Sequence, residues 1–153
     1  GARVGDWLLV TGRLGGSVRS GRHLRFFPRV SEARAIGRRV KLHAMIDLSD
    51  GLGPDLVRLC QASGIGAQID AASIPRGKGV SVISALTEGE DFELLMSVSP
   101  QAAPSLLRWA AKNLPCSLRR IGRVVSRRGH SPISISAPRQ IKLPVSLAGF
   151  QHF

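Results

Sequence analysis

The sequence predicts an α/β domain of the α+β kind, a mixed sheet flanked by helices. Three observations point there. The 153 residues are 43% hydrophobic and 21% charged, which is ordinary globular usage in a chain long enough to bury a core. Short apolar runs bounded by Gly and Pro alternate with stretches of helical periodicity. The connections between them are too irregular for a regular doubly wound sheet. Residues 1–153 read as one domain. The opening Gly1-Ala2-Arg3-Val4-Gly5-Asp6, without an initiator Met, reads as the interior of a longer protein.

The elements follow in order. Trp7-Leu8-Leu9-Val10-Thr11 is a buried strand left through Gly12. Residues 12–22, rich in Gly, Ser and Arg, read as a loop with room for one helical turn. Pro28 to Ile36 begins with Pro, continues with helix formers and ends near Gly37. His43 to Leu48 is a strand running into the turn Ser49-Asp50-Gly51-Leu52-Gly53. Leu52, Leu56, Leu59 and Cys60 recur at helical spacing, and Ser63-Gly64 closes that helix. Gly66 to Asp70 is a strand, and Arg76 to Gly79 a loop. Periodicity does not decide between helix and strand for Val80 to Leu86. Phe92 to Val98 is a strand. Pro100 to Asn113 is a helix with Leu106, Leu107, Ala110 and Ala111 inward, and with Trp109 packing. Ile121–Val125 and Ile133–Ser136 are strands joined through Arg127-Arg128-Gly129.

Several classes drop out. No apolar run approaches the ~20 residues of a membrane span. Cys60 and Cys116 are far apart and fit no metal spacing, so both read as reduced thiols of a cytoplasmic protein. The formal net charge is +12, from 22 Lys and Arg against 10 Asp and Glu, which suggests an anionic partner. An aromatic content of 5%, the lack of Tyr and the clustering of the acids argue against a nucleic-acid-binding module.

The acids are concentrated. Asp47, Asp50 and Asp55 form one group; Glu88, Glu90, Asp91 and Glu93 form another. Strand alternation puts Asp47 and Ser49 on one side. Asp50 follows at the turn, next to the positive end of a helix. Carboxylates and a hydroxyl so placed suit Mg²⁺ with a phosphate, because Mg²⁺ takes one or two carboxylates plus phosphate oxygens and water. The plain alternative is a helix capped by Ser49 or Asp50. In the second group Glu90 and Asp91 lie at a strand mouth, and Glu93 alternates with Phe92 and Leu94. Those acids suit a cationic or hydroxyl-bearing substrate, or else sit solvated at an exposed edge.

Gly5-Asp6-Trp7-Leu8-Leu9-Val10-Thr11-Gly12, Met45-Ile46-Asp47-Leu48-Ser49-Asp50-Gly51-Leu52, Gly89-Glu90-Asp91-Phe92-Glu93-Leu94-Leu95 and the ending Gly149-Phe150-Gln151-His152-Phe153 occur in that order. Together they resemble the C-terminal half of thiamine-monophosphate kinase, in the superfamily of aminoimidazole ribonucleotide synthetase, selenophosphate synthetase and the hydrogenase-maturation carbamoyl dehydratase. The resemblance implies phosphorylation of thiamine monophosphate to thiamine diphosphate by ATP with Mg²⁺. It implies a homodimer built through an N-terminal domain that binds most of the nucleotide and is absent here, so the isolated chain would be inactive. On the matching positions, Asp47 and Asp50 would ligate Mg²⁺, Ser49 would contact the nucleotide, and Glu90 and Phe150 would contact the substrate. Another superfamily member, such as an amidine cyclase, is the alternative within enzymes. Gly15-Gly16-Ser17 stands where the family usually has Gly-Asp-Ser. Glu88 and Phe92 stand where it often has Gly and Tyr.

Overall fold

The computed structural model of the chain describes residues 1–127 and 132–136. Within them six strands form one sheet in the order β2-β4-β1-β5-β3-β6. The strands are β1 (Trp7–Thr11), β2 (Leu42–Leu48), β3 (Gly66–Asp70), β4 (Glu93–Val98), β5 (Leu118–Val125) and β6 (Ile133–Ser136). Every pairing is antiparallel except β3 with β6. The mixed sheet agrees with the sequence reading.

Alternation along the strands splits the core in two. Leu8, Val10, Leu48 and Leu95 pack on one face with helices α3 (Leu52–Ser63) and α4 (Val82–Thr87). Leu9, Met96 and Val98 pack on the other with α2 (Val30–Arg39) and α5 (Ala103–Asn113). A short α1 (Ser17–Ser20) and a 3-10 turn (Arg22–Arg25) lie between β1 and α2. Burying a side chain such as Leu9 or Leu56 contributes roughly 1.5–3 kcal/mol.

The helices end where local chemistry dictates. Gly64 takes the left-handed conformation (φ 66°) after α3, and its N–H and that of Ile65 satisfy the carbonyls of Gln61 and Cys60. Arg38 and Arg39 occupy the last turn of α2, where the helix dipole favours cations. Ser81 decides the segment that periodicity left open. Its hydroxyl accepts from the Ser84 N–H at 2.9 Å, capping α4.

α1 is the helical turn expected in the loop after β1, and a 3-10 turn follows it. Some expectations need correction. β5 begins at Leu118, earlier than Ile121. Ala111 is exposed, because the inward face of α5 is Ala103, Leu106 and Ala110. Trp109 packs against the second core as expected. Cys60 and Cys116 are both free, and burial pushes the Cys60 thiol up to about 11. Among the described residues no helix is long and apolar enough to cross a membrane.

Candidate functional site

The two acidic motifs meet at one end of the sheet. β2 and β4 are antiparallel neighbours, with Leu48 opposite Glu93, so the turn that leaves β2 lies beside the turn that enters β4. Backbone bonds fasten them together. The Glu90 N–H donates to the Ser49 carbonyl at 2.7 Å, and the Phe92 N–H to the Leu48 carbonyl at 2.8 Å. Gly89 is required for this approach, since a Cβ there would stand 2.5 Å from the Ser49 oxygen. Ser49, Asp50 and Glu90 thereby lie on adjoining turns, while Asp47 stands on β2 on the side of α2, away from Ala44, Ile46 and Leu48. Phe150 lies outside the described residues.

Most of the acids turn out to be structural anchors. β4 is an interior strand and not an edge, so Asp91 and Glu93 are buried rather than solvated. A buried carboxylate needs donors, and both find them at the end of β1 and on the segment after it. Asp91 accepts from the Gly15 N–H at 2.7 Å and pairs with Arg22 at 2.5 Å. Glu93 accepts from the Thr11 hydroxyl at 2.6 Å and takes the Arg29 guanidinium through two bonds of 2.9 Å. Arg29 also reaches Glu32 at 3.0 Å. Glu88 accepts from the Gly16 N–H at 2.5 Å. Two of the three positions that depart from the expected family pattern, Gly16 and Glu88, are therefore in contact with each other.

The shifts in ionisation follow from these contacts. Burial pushes the Asp91 carboxyl up to about 6, against the opposing pull of the Gly15 N–H and Arg22. Burial also works to raise Glu32, but hydrogen bonds from Ser31 and Arg29 outweigh it and hold that carboxyl below its ordinary value. The Glu93 hydrogen bonds raise Arg29 further above the usual arginine range.

The first motif divides in the same way. Neither Ser49 nor Asp50 caps α3; the cap position is Gly51, with no side-chain bond. Asp55 instead reaches back, accepting from the N–H groups of Ser49 and Asp50 at 3.0 Å each. Burial raises its pKa while those bonds and Arg58 pull the other way. Arg58 bridges Asp55 and Asp50. β2 ends at Leu48, so strand alternation does not extend to Ser49.

Two carboxylates are left over. Asp47 is exposed and Glu90 half-exposed, and neither has a hydrogen-bond or ion-pair partner among the described residues. Asp47 lines a cleft of about 340 Å³ together with Phe26, Arg34, Phe92 and Leu94. Phe26 and Phe92 stack with ring centroids 4.2 Å apart. Glu90 (φ 65°) and Phe92 (φ 50°) both hold the left-handed backbone that non-glycine residues avoid. Such outliers concentrate at functional sites. Near Phe26 in the chain, Leu24 is 79% exposed and Phe27 81%.

Among the described residues no three His, Cys, Asp or Glu come together as a metal cage. An exposed Asp47 and an Arg58-paired Asp50 fit one requirement only, that of a Mg²⁺ completing its shell with phosphate and water.

Sequence reasoning missed Arg22, Arg29 and Phe26. A signal existed: Glu93 interrupts an otherwise apolar strand, and a buried acid predicts a cationic partner. Phe26 and Phe27 also stand out in a chain so poor in aromatics.

This fold and this pair of apposed acidic turns define the class. Residues 3–134 match the family described as AIR synthase related protein, C-terminal domain, and the chain belongs to it. Within that class its likeness is to thiamine-monophosphate kinases. One from Rhodopirellula baltica is 39% identical over 139 residues, covering 84% of this chain and 43% of the relative. Another from Halobacterium salinarum is 33% identical over 144 residues, covering 82% of this chain and 48% of the relative. The solved structure of AaThiL complexed with AMPPCP and TMP superposes with a TM-score of 0.73 at 24% identity, over 100% of this chain and 53% of that one. At that identity the likeness is one of fold. The chain thus spans about half the length of the relatives it matches.

Proposed function

We propose that this chain is the C-terminal domain of an ATP- and Mg²⁺-dependent kinase converting thiamine monophosphate to thiamine diphosphate. In this reading a complementary N-terminal half supplies the dimer interface and most nucleotide contacts, and the enzyme works as a cytoplasmic homodimer. The site is then shared, and the isolated chain does not turn over. The observation that carries the reading is the fastening of the Asp47–Asp50 turn to the Glu90 turn, with the Asp47 and Glu90 carboxylates spared from structural use. The kinase relatives and the ATP-analogue and TMP complex of AaThiL support it.

Each residue has a distinct task. Asp47 and Asp50 would hold Mg²⁺, which when bound neutralises charge on transferring phosphoryl oxygens. Ser49, between them, would contact the nucleotide. Glu90 would attract the cationic thiazolium and orient the acceptor. Phe150 would pack against the substrate. The bond from the terminal phosphorus of ATP to ADP breaks as one forms to an oxygen of the acceptor phosphate, and ADP leaves. No protein nucleophile is needed, and positioning does most of the work.

Glu90→Gln in the whole enzyme tests this. An amide cannot attract a cation as a carboxylate does, so KM for thiamine monophosphate should rise about tenfold, equivalent to about 1.4 kcal/mol. The melting temperature should stay within a few degrees. Unchanged KM and kcat would remove Glu90 from the site.

A further inference from the structure

Three adjoining clefts run from α2 around α5 to the loop after β1, and their chemistry is one-sided. The first, between α2 and α5, is lined by Arg39, Arg108 and Lys112 along with Trp109. The second, of about 650 Å³, lies between α5 and β5, shares Ala111 with the first, and carries Arg119 and Arg120. The third, of about 540 Å³, shares Ser117, Arg119 and Arg120 with the second and adds Arg13 and Arg76.

These clefts gather seven cations and no carboxylate. Among the described residues none of the seven makes an ion pair with an acid, the ion-paired arginines there being Arg22, Arg29 and Arg58. No Asp or Glu follows Glu93 in the sequence, so residues 128–131 and 137–153 bring no side-chain acid to neutralise them. Arg39 and Lys112 are each rewarded by a helix C-terminus. Arg13, Arg76, Arg119 and Arg120 lie outside helices, and no carboxylate of the described residues pairs with them.

The tract is also held in shape. The Gly12 N–H donates to the Ser117 carbonyl at 2.9 Å and the Leu14 N–H to the Pro75 carbonyl at 2.8 Å, which pins Arg13 between β5 and Arg76. Arg120 lies over the Trp7 ring at 3.9 Å, and Arg76 donates to the Val80 carbonyl at 3.3 Å.

We infer that this tract binds the phosphate backbone of a single-stranded nucleic acid without sequence preference. A run of charges over three clefts suits a linear polyanion better than one small phosphate ester. Trp109, lining the first cleft, offers a face on which a base can stack. The scarcity of aromatics elsewhere weighs against base-reading modules and leaves backbone binding untouched. The inference is independent of the proposed kinase activity.

The test is fluorescence anisotropy of the full chain with a labelled mixed-sequence oligonucleotide of about 15 residues. Binding should weaken steeply between about 50 and about 200 mM salt, with a log–log slope near −0.7 per phosphate contacted. Arg119→Gln/Arg108→Gln/Lys112→Gln should lower affinity at least tenfold, whereas Arg19→Gln/Arg25→Gln/Arg3→Gln, with the same loss of charge off the tract, should change it less than twofold. Trp109→Leu, which keeps the apolar packing, should weaken the oligonucleotide but not inorganic polyphosphate. Absence of binding at low salt, or equal losses in both triple variants, would overturn the site. A Trp109→Leu protein that binds the oligonucleotide unchanged, or poly-glutamate that binds as tightly, would overturn the nucleic-acid assignment.

Discussion

Arg29→Leu should destabilise the fold more than any other single arginine substitution. The guanidinium, 20% exposed, neutralises Glu93 and Glu32, whose side chains are 6% and 5% exposed. Removing it leaves two buried carboxylates, each keeping a hydroxyl donor: Thr11 for Glu93 and Ser31 for Glu32. Breaking a buried pair by removing one partner costs about 3–5 kcal/mol. That is a large share of the roughly 5–15 kcal/mol that holds a domain together. For a chain of this length it corresponds to a drop in Tm of roughly 6–20 °C. Urea unfolding followed by Trp7 and Trp109 fluorescence measures it directly. Adding Glu93→Gln should recover part of the loss by removing one stranded charge. Arg34→Leu within α2, the helix that follows Arg29 and where Arg34 is exposed, should stay within about 0.5 kcal/mol of the parent. If Arg29→Leu also stayed within that range, the anchoring role of Glu93 would be wrong.

Other outcomes follow from the same contacts. Because Asp91 titrates at about 6 in the fold and 3.8 by default, the folded state holds the extra proton in that window. This group's contribution to stability therefore falls as pH rises from 3.8 to about 6, and Asp91→Asn should flatten that part of the stability–pH curve. Gly12→Ala should cost on the order of 2 kcal/mol or more. Gly12 has φ 60° and its Cβ would collide with the Glu93 carboxylate, so the Tm loss should overlap with that of Arg29→Leu in a double variant.

Local pattern makes most elements legible in the sequence. Leu52, Leu56, Leu59 and Cys60 trace the α3 face, and Gly64 ends it, by interactions contained within about one helical turn. What stayed illegible depended on distant partners. Val80 to Leu86 mixes Ser and Val in a way that fits either period, and a single hydroxyl cap on Ser81 decides it. Residues 12–29 have weak propensity of their own. Their path is set by Glu88, Asp91 and Glu93, roughly seventy residues later in the chain. Asp47 and Glu90 were legible as acids near turns. That they alone escape structural duty emerges only once Asp55, Asp91 and Glu93 have found their donors. The strand order had no local signature, since β1 pairs with β4 and β5 rather than its sequence neighbour.

The central claim is that this chain supplies one half of a shared phosphoryl-transfer site. The direct measurement is ATP-dependent formation of thiamine diphosphate from thiamine monophosphate, with the chain alone and after mixing with the N-terminal half of the Rhodopirellula baltica relative. Neither part alone should turn over, the mixture should, and Asp47→Asn should abolish that activity with the chain's Tm little changed. Multiple turnover by the isolated chain, or a mixture equally active with Asn at position 47, would contradict it.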